Sequence, residues 1–122
     1  MTKKKNIKTG QRGEDIAAEM LKEKNYKIIE RNPTTKYGEI DIVAAKKGEV
    51  VFVEVRTKKG VAFGLPEETV GFYKKKKLVK NAKRYINYKE IDNPYRIDVI
   101  GIVLLKDGSV LRKKHYKNIT LS

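Results

Sequence analysis

The sequence predicts an α/β fold, a central mixed β-sheet flanked by helices, with elements in the order αβββαββ. Three observations predict it. Two stretches repeat apolar residues at helical spacing, three β-rich runs lie between them, and two more follow the second. The 122 residues suffice for one domain with a core that needs no staples. Hydrophobic residues make up 39% of the chain and fall in periodic blocks, which excludes wholesale disorder.

Residues 1–9 carry four lysines and no acid and read as a flexible basic arm, leaving 10–122 as a single domain. From about Gly10 to Asn25 the pattern is helical, with Ile16, Ala17, Met20 and Leu21 on one stripe. Glu14 precedes Ala17, Ala18 and Leu21 by three, four and seven residues, so it sits over that apolar stripe. A first-turn carboxylate that favours the helix dipole is the competing reading.

Tyr26 to Arg31 is a short first strand, ended by Asn32-Pro33. Strands at Glu39–Ala45 and Val50–Thr57 then form a hairpin around Lys47-Gly48. Gly60, Gly64 and Pro66 mark a loop, and Pro66-Glu67-Glu68 reads as the first turn of the second helix. That helix has the stripe Leu78, Val79, Ala82, Tyr85 and Ile86. After Asn93-Pro94 come a strand from Tyr95 to Leu105, a turn at Lys106-Asp107-Gly108, and a last strand near Val110–Tyr116.

The hairpin carries the most informative geometry. A two-residue loop pairs Lys46 with Glu49, Ile42 with Val53 and Ile40 with Val55, and sets Asp41 across from Glu54. Ile40, Ile42 and Ala44 then share a face. Two carboxylates so placed lie about 5 Å apart at Cβ and destabilise the sheet unless something neutralises them. Arg56, two residues along on the face of Glu54, could do so as a structural ion pair. A divalent cation is the alternative, and oxygen ligands without Cys favour Mg2+ or Mn2+ over zinc.

Lys and Arg number 29 against 15 acids, a formal net charge of +14. That imbalance points to a polyanionic partner, nucleic acid ahead of a membrane surface, with a solvated lysine-rich surface as the plain alternative. The charge is concentrated. Between Gly71 and Lys89 the basic residues Lys74, Lys75, Lys76, Lys77, Lys80, Lys83, Arg84 and Lys89 meet no acid, and Tyr73 and Tyr88 lie nearby for packing or stacking. The start of the chain lacks the apolar segment of a secretory signal. Its longest apolar run, Val99–Leu105, falls far short of the ~20 residues that span a bilayer. A cytoplasmic protein with no membrane partner is expected. Absence of Cys excludes disulfide scaffolds, thiolate zinc sites and cysteine catalysis. Asp98 reads as the structural partner of Arg96, and His115 as a rim residue.

The run GEIDIVA (Gly38–Ala44), the run VVFVEVR (Val50–Arg56) and the opening GQRGEDIAAEML resemble the PD-(D/E)xK nuclease superfamily, and within it the YraN family. Arg31-Asn32, Gly64-Leu65-Pro66-Glu67 and YRIDVIGI (Tyr95–Ile102) agree with that family, which is similar to archaeal Holliday-junction resolvases. The resemblance implies a restriction-endonuclease-like core and a metal-dependent endonuclease acting on DNA, with branched DNA as a substrate class. It implies Glu14, Asp41, Glu54 and Arg56 as catalytic residues. Asp41, Glu54, the Val55 carbonyl and Glu14, directly or through water, would be metal ligands, and the metal Mg2+ or Mn2+. The charge run itself, with Lys76, Lys80, Lys83 and Arg84 at helical spacing, makes the Lys74–Lys77 run, Lys80, Lys83 and Arg84, together with Lys58, the expected nucleic-acid contacts. The resemblance implies a homodimer because the resolvases act as dimers.

Arg56 departs from the superfamily, which usually has Lys there. A Lys can shift its pKa and move protons, whereas Arg stays charged and clamps phosphate. Lys58 lies on the same face and could substitute. Two other readings stay open: a non-catalytic nucleic-acid-binding module that retains the fold, and a structural component of a ribonucleoprotein.

Overall fold

The computed structural model describes residues 2–60 and 72–120. The expected start of the second helix at Pro66 lies outside them. The first helix, α1 (Thr2–Glu23), begins well before Gly10. Lysine is a good helix former and no proline interrupts residues 2–9, so the helical backbone continues through the segment read as an arm. It ends with Asn25 in the left-handed region (φ 68°), Tyr26 N–H on the Leu21 carbonyl at 2.9 Å and Asn25 N–H on that of Lys22 at 3.0 Å. These two bonds satisfy carbonyls that the helix end would otherwise leave open.

Strands β1 (Lys27–Arg31), β4 (Ile42–Lys46), β5 (Glu49–Lys59), β6 (Tyr95–Leu104) and β7 (Val110–Tyr116) form one sheet in the order β1-β4-β5-β6-β7. Only β5 and β6 run parallel, with α2 (Phe72–Lys89) between them in the chain. The sheet is mixed, as expected. Two short strands, β2 (Thr34–Thr35) and β3 (Gly38–Glu39), pair apart from it as a ribbon.

The expected register holds, with Ile42 opposite Val53 and Lys46 opposite Glu49. Lys47 (φ 51°) and Gly48 (φ 79°) are both left-handed, which matches the twist of the two strands they join. The strand expected over Glu39–Ala45 is, however, broken at Ile40-Asp41. Asn32 turns left-handed (φ 58°), so its N–H reaches the Asp41 carbonyl at 3.0 Å and Ile40 N–H reaches the Pro33 carbonyl at 2.9 Å. Those bonds draw Ile40 and Asp41 out of the β5 ladder. Ile40 is therefore buried with Val43 and Phe52, not on the face of Ile42 and Ala44.

Each helix covers one face of the sheet. Ala17, Ala18, Met20 and Leu21 of α1 pack on Ile42, Ala44, Val51, Val53, Ile100 and Ile102. Ala82 and Tyr85 of α2 pack on Val43, Val50, Phe52 and Ile97. Full burial of such aliphatic side chains contributes about 1.5–3 kcal/mol each, so the two apolar clusters fix both helices against the sheet.

One buried ionic group sits on the α1 side. Asp98 is fully buried and receives Arg96 Nε at 2.9 Å and Asn118 N–H at 2.9 Å. The expected Arg96–Asp98 pair is present. His115 differs from expectation: its side chain is 2% exposed and its Nε2 lies 2.7 Å from Asp98. A lone histidine on a mostly exposed strand looked like a rim residue, but the buried acid draws it inward. These partners outweigh burial and hold the Asp98 carboxyl below its ordinary range.

Candidate functional site

The site forms where β4 stops and β5 continues. Ile42–Val53 is the last β4–β5 pair, whereas β5 runs on to Lys59 with β6 beside it. From Glu54 onward the β4 side of β5 is therefore an open edge among the described residues. Asp41 Oδ2 caps that edge by accepting the Val55 N–H at 2.8 Å. The N–H and C=O of one strand residue point to the same side, so the Val55 carbonyl faces the same opening.

Glu14 arrives from α1. Helix and strand approach so closely that a Cβ at Gly13 would overlap the Thr57 hydroxyl. Gly13 thus sets the height at which Glu14 projects, and the Glu14 side chain is 17% exposed. A third carboxylate, Glu39, comes from β3. The buried Asn81 of α2 holds that ribbon, accepting the Thr35 hydroxyl and donating to the Glu39 carbonyl at 3.4 Å.

Glu14, Glu39 and Asp41 each bring a carboxylate oxygen within 4.8 Å of the others. Asn32 Nδ2 lies among them, 3.0 Å from Glu14 Oε1 and 3.0 Å from Glu39 Oε1. Arg31 pairs with Asp15 at 2.8 Å and approaches Glu14 at 3.6 Å. Asp41 lacks such compensation. Burial, then the charges of Glu54 and Glu14, push its carboxyl up to about 7, against the opposing hydrogen bond from Val55. The carboxylates of Glu14, Glu39 and Asp41 and the Val55 carbonyl offer only oxygen atoms, the donor type that a hard divalent cation would take.

Glu54, expected to share the cation with Asp41, is ion-paired here. It is buried on the α2 face, with Oε2 3.3 Å from Arg56 Nε and 3.5 Å from Lys74 Nζ. The ion pair weighed from sequence for Arg56 is thus formed. Arg56 Nε nevertheless has no hydrogen-bond acceptor of proper geometry, so its contact with Glu54 is chiefly electrostatic.

The expected site residues therefore divide. Glu14 and Asp41 converge, Glu54 adjoins Asp41 from the opposite face, and Arg56 tends Glu54. Glu39 and Asn32 were not anticipated. Glu39 joins Asp41 only because the chain bends between them at Ile40-Asp41, which strand alternation did not signal. Arg56 and Lys58 line a groove of about 960 Å³ with Glu14, Asp41, Val55 and Lys106. Lys74 is half-buried on Glu54, whereas Lys75, Lys76, Lys77, Lys80, Lys83 and Arg84 are exposed along α2.

Fold and site together define a mixed-sheet α/β protein with a carboxylate group at an open strand edge, beside a cationic groove and a cationic helix. No described helix is long and apolar enough to cross a membrane. Residues 13–102 match the uncharacterised protein family UPF0102, and the chain belongs to that family, the YraN family whose motifs it carries. It is 46% identical over 118 residues to a UPF0102 protein of Caldanaerobacter subterraneus subsp. tengcongensis, covering 93% of this chain and 95% of the relative. A relative from Fervidobacterium nodosum is 41% identical over 114 residues, covering 93% and 83%. One from Clostridium botulinum is 43% identical over 115 residues, covering 93% and 94%.

Proposed function

We propose that this protein is a nucleic-acid-binding, endonuclease-like enzyme that hydrolyses DNA phosphodiesters with Mg2+ or Mn2+. The observation that carries the reading is the gathering of Glu14, Glu39 and Asp41, the first and last of which line a groove otherwise charged by Arg56, Lys58, Lys59 and Lys106. A polyanion is drawn to the groove, and a protein that only binds polyanions gains nothing from aiming carboxylates at it.

Asp41 and Glu14 would hold the cation, with the Val55 carbonyl and Glu39 in reach of it. When bound, the metal supplies charge stabilisation for the phosphate and activation of water. Arg56 and Lys58 would orient the phosphate from the groove wall. Arg56 stays protonated, so it holds charge and does not abstract a proton. Its salt bridge to Glu54 fixes the guanidinium beside the site before substrate arrives. The α2 lysines would track the flanking backbone, and a homodimer would present two such sites to a branched substrate.

The second reading, a binding module without chemistry, is favoured by the engagement of Glu54 with Arg56 and Lys74. Cleavage of branched, flapped and linear DNA with Mg2+ or Mn2+, beside Asp41→Ala, separates the two. Metal-dependent cutting by the natural chain and none by the variant is expected. Equal cutting by both would identify a contaminant, and binding without cutting would favour the module.

A further inference from the structure

One face of α2 runs along the β2–β3 ribbon. Lys74, Lys77, Asn81, Arg84 and Tyr88 are spaced three, four, three and four residues apart and so share that face. Lys74 lies beside Glu54 at the carboxylate end, 3.5 Å away. Lys77 passes Gly38, where an added Cβ would meet its Cε at 3.9 Å. Asn81 binds Thr35 and the Glu39 carbonyl. Just beside this line, the ammonium groups of Lys36 and Lys80 lie 5.3 and 5.9 Å from the Tyr37 ring centroid. At the far end Arg84 and Tyr88 border a pocket of about 390 Å³ with Thr34, Thr35 and Lys36.

Tyr88 is 77% exposed. It serves no core, and its ring has the Lys89 ammonium 5.5 Å from the centroid. Every charged side chain of α2 from Lys74 to Lys89 is a cation. The pocket contains one acid, Glu30, which accepts the Tyr85 hydroxyl at 2.8 Å.

We infer that this seam seats an unpaired polynucleotide strand, with a base stacked on Tyr88 and phosphates along Arg84, Lys80 and Lys77 toward the carboxylate group. The inference rests on the nucleic-acid reading above and specifies the form of nucleic acid. A blunt duplex stacks its bases internally and meets such a surface through phosphates, which leaves the exposed ring unused. An unpaired strand offers π-faces to aromatic rings together with its charge. Lys74 to Tyr88 spans about 21 Å of helix. At the ~3.4 Å per-strand spacing of stacked DNA that is at most about six nucleotides, and fewer for an extended strand, still enough to connect a stacked base with the carboxylate end.

Fluorescence anisotropy with the full chain in EDTA tests this, using labelled oligothymidylate and a blunt duplex of equal length across a salt series. Tyr88→Ala is expected to weaken oligothymidylate binding about fivefold or more without changing its salt slope, because stacking releases no counterions. Tyr88→Phe retains the affinity. Arg84→Ala lowers the single-strand slope by about 0.7. Duplex affinity is the same for Tyr88→Ala and the natural chain. Natural affinity for oligothymidylate in Tyr88→Ala, or equal weakening for both probes, overturns the inference and leaves the endonuclease reading standing. Binding of neither probe by the natural chain also overturns the inference, while the endonuclease reading is decided separately by the cleavage assay on branched, flapped and linear DNA.

Discussion

Asp41→Asn should make the metal-free protein more stable at neutral pH, and the gain should vanish in acid. Burial and the neighbouring carboxylates raise the Asp41 carboxyl from 3.8 to about 7 in the folded state. A raised acid pKa means that the folded chain holds this proton more tightly than the unfolded chain. Its effect on stability is thus nil below the unfolded value and grows as pH rises toward 7. At about 1.36 kcal/mol per pH unit, the full penalty is about 4 kcal/mol, and about 2.5 kcal/mol of it develops between pH 5 and pH 7.5. Asn keeps an oxygen to accept the Val55 N–H and removes the charge. Urea unfolding in EDTA, near pH 5 and near pH 7.5, measures the difference between variant and natural chain. The gain should be clearly larger at the higher pH. Millimolar Mg2+ should raise the stability of the natural chain, by about 2.7 kcal/mol at a hundredfold excess over Kd, and do little for Asp41→Asn. Parallel pH profiles for the two proteins, or equal Mg2+ stabilisation, would refute the reasoning.

Two further outcomes follow from packing and from the buried ionic group. Gly13→Ala places a methyl on the Thr57 hydroxyl and should cost about 1–3 kcal/mol in urea unfolding, with part recovered when Thr57→Ala is added. No recovery would mean that the helix–strand approach is not what requires glycine. Asp98→Asn leaves Arg96 short of its buried partner and should cost about 3–5 kcal/mol at neutral pH. The lowered Asp98 pKa gives stability that is present above the unfolded value near 4 and disappears as pH falls through the folded value, so natural chain and variant should converge in strong acid. A variant as stable as the natural chain near pH 7 would show that the buried charge contributes nothing.

Much of the fold was legible because it rests on local rules. The period of the apolar residues marked both helices, and a two-residue turn set the β4–β5 register down to Ile42 opposite Val53. The same rules carried Glu14 onto the buried stripe of α1. They failed at Ile40-Asp41, where the bonds come from Asn32 and Pro33 and not from the neighbouring strand. A strand pattern assumes that alternation continues, and nothing in the residue types at 40 and 41 announces the bend. Its consequence reaches the site. With Asp41 out of the ladder, its carboxylate is free to turn toward Val55 N–H and join Glu39 and Glu14. His115 illustrates the opposite limit, since its burial depends on an acid distant in sequence and on another strand.

The two faces of β5 explain why the carboxylates do not all share one role. On the α2 face Glu54 has two cations within 3.5 Å, so its charge is already balanced inside the protein. At the open edge Asp41 has a backbone N–H and, otherwise, like charges nearby. A cation entering the groove would gain most beside Asp41 and least beside Glu54. Glu54 is tied to the site in two ways that the structure shows: its charge raises the proton affinity of Asp41, and it is ion-paired with Arg56. Replacing Arg56 with Lys would exchange a planar, permanently charged clamp for a point charge able to lose its proton. The Arg at this position and the engaged state of Glu54 are therefore one feature, a positive wall on the α2 face of β5 beside an edge where Asp41 has, among the described residues, no cationic partner of its own.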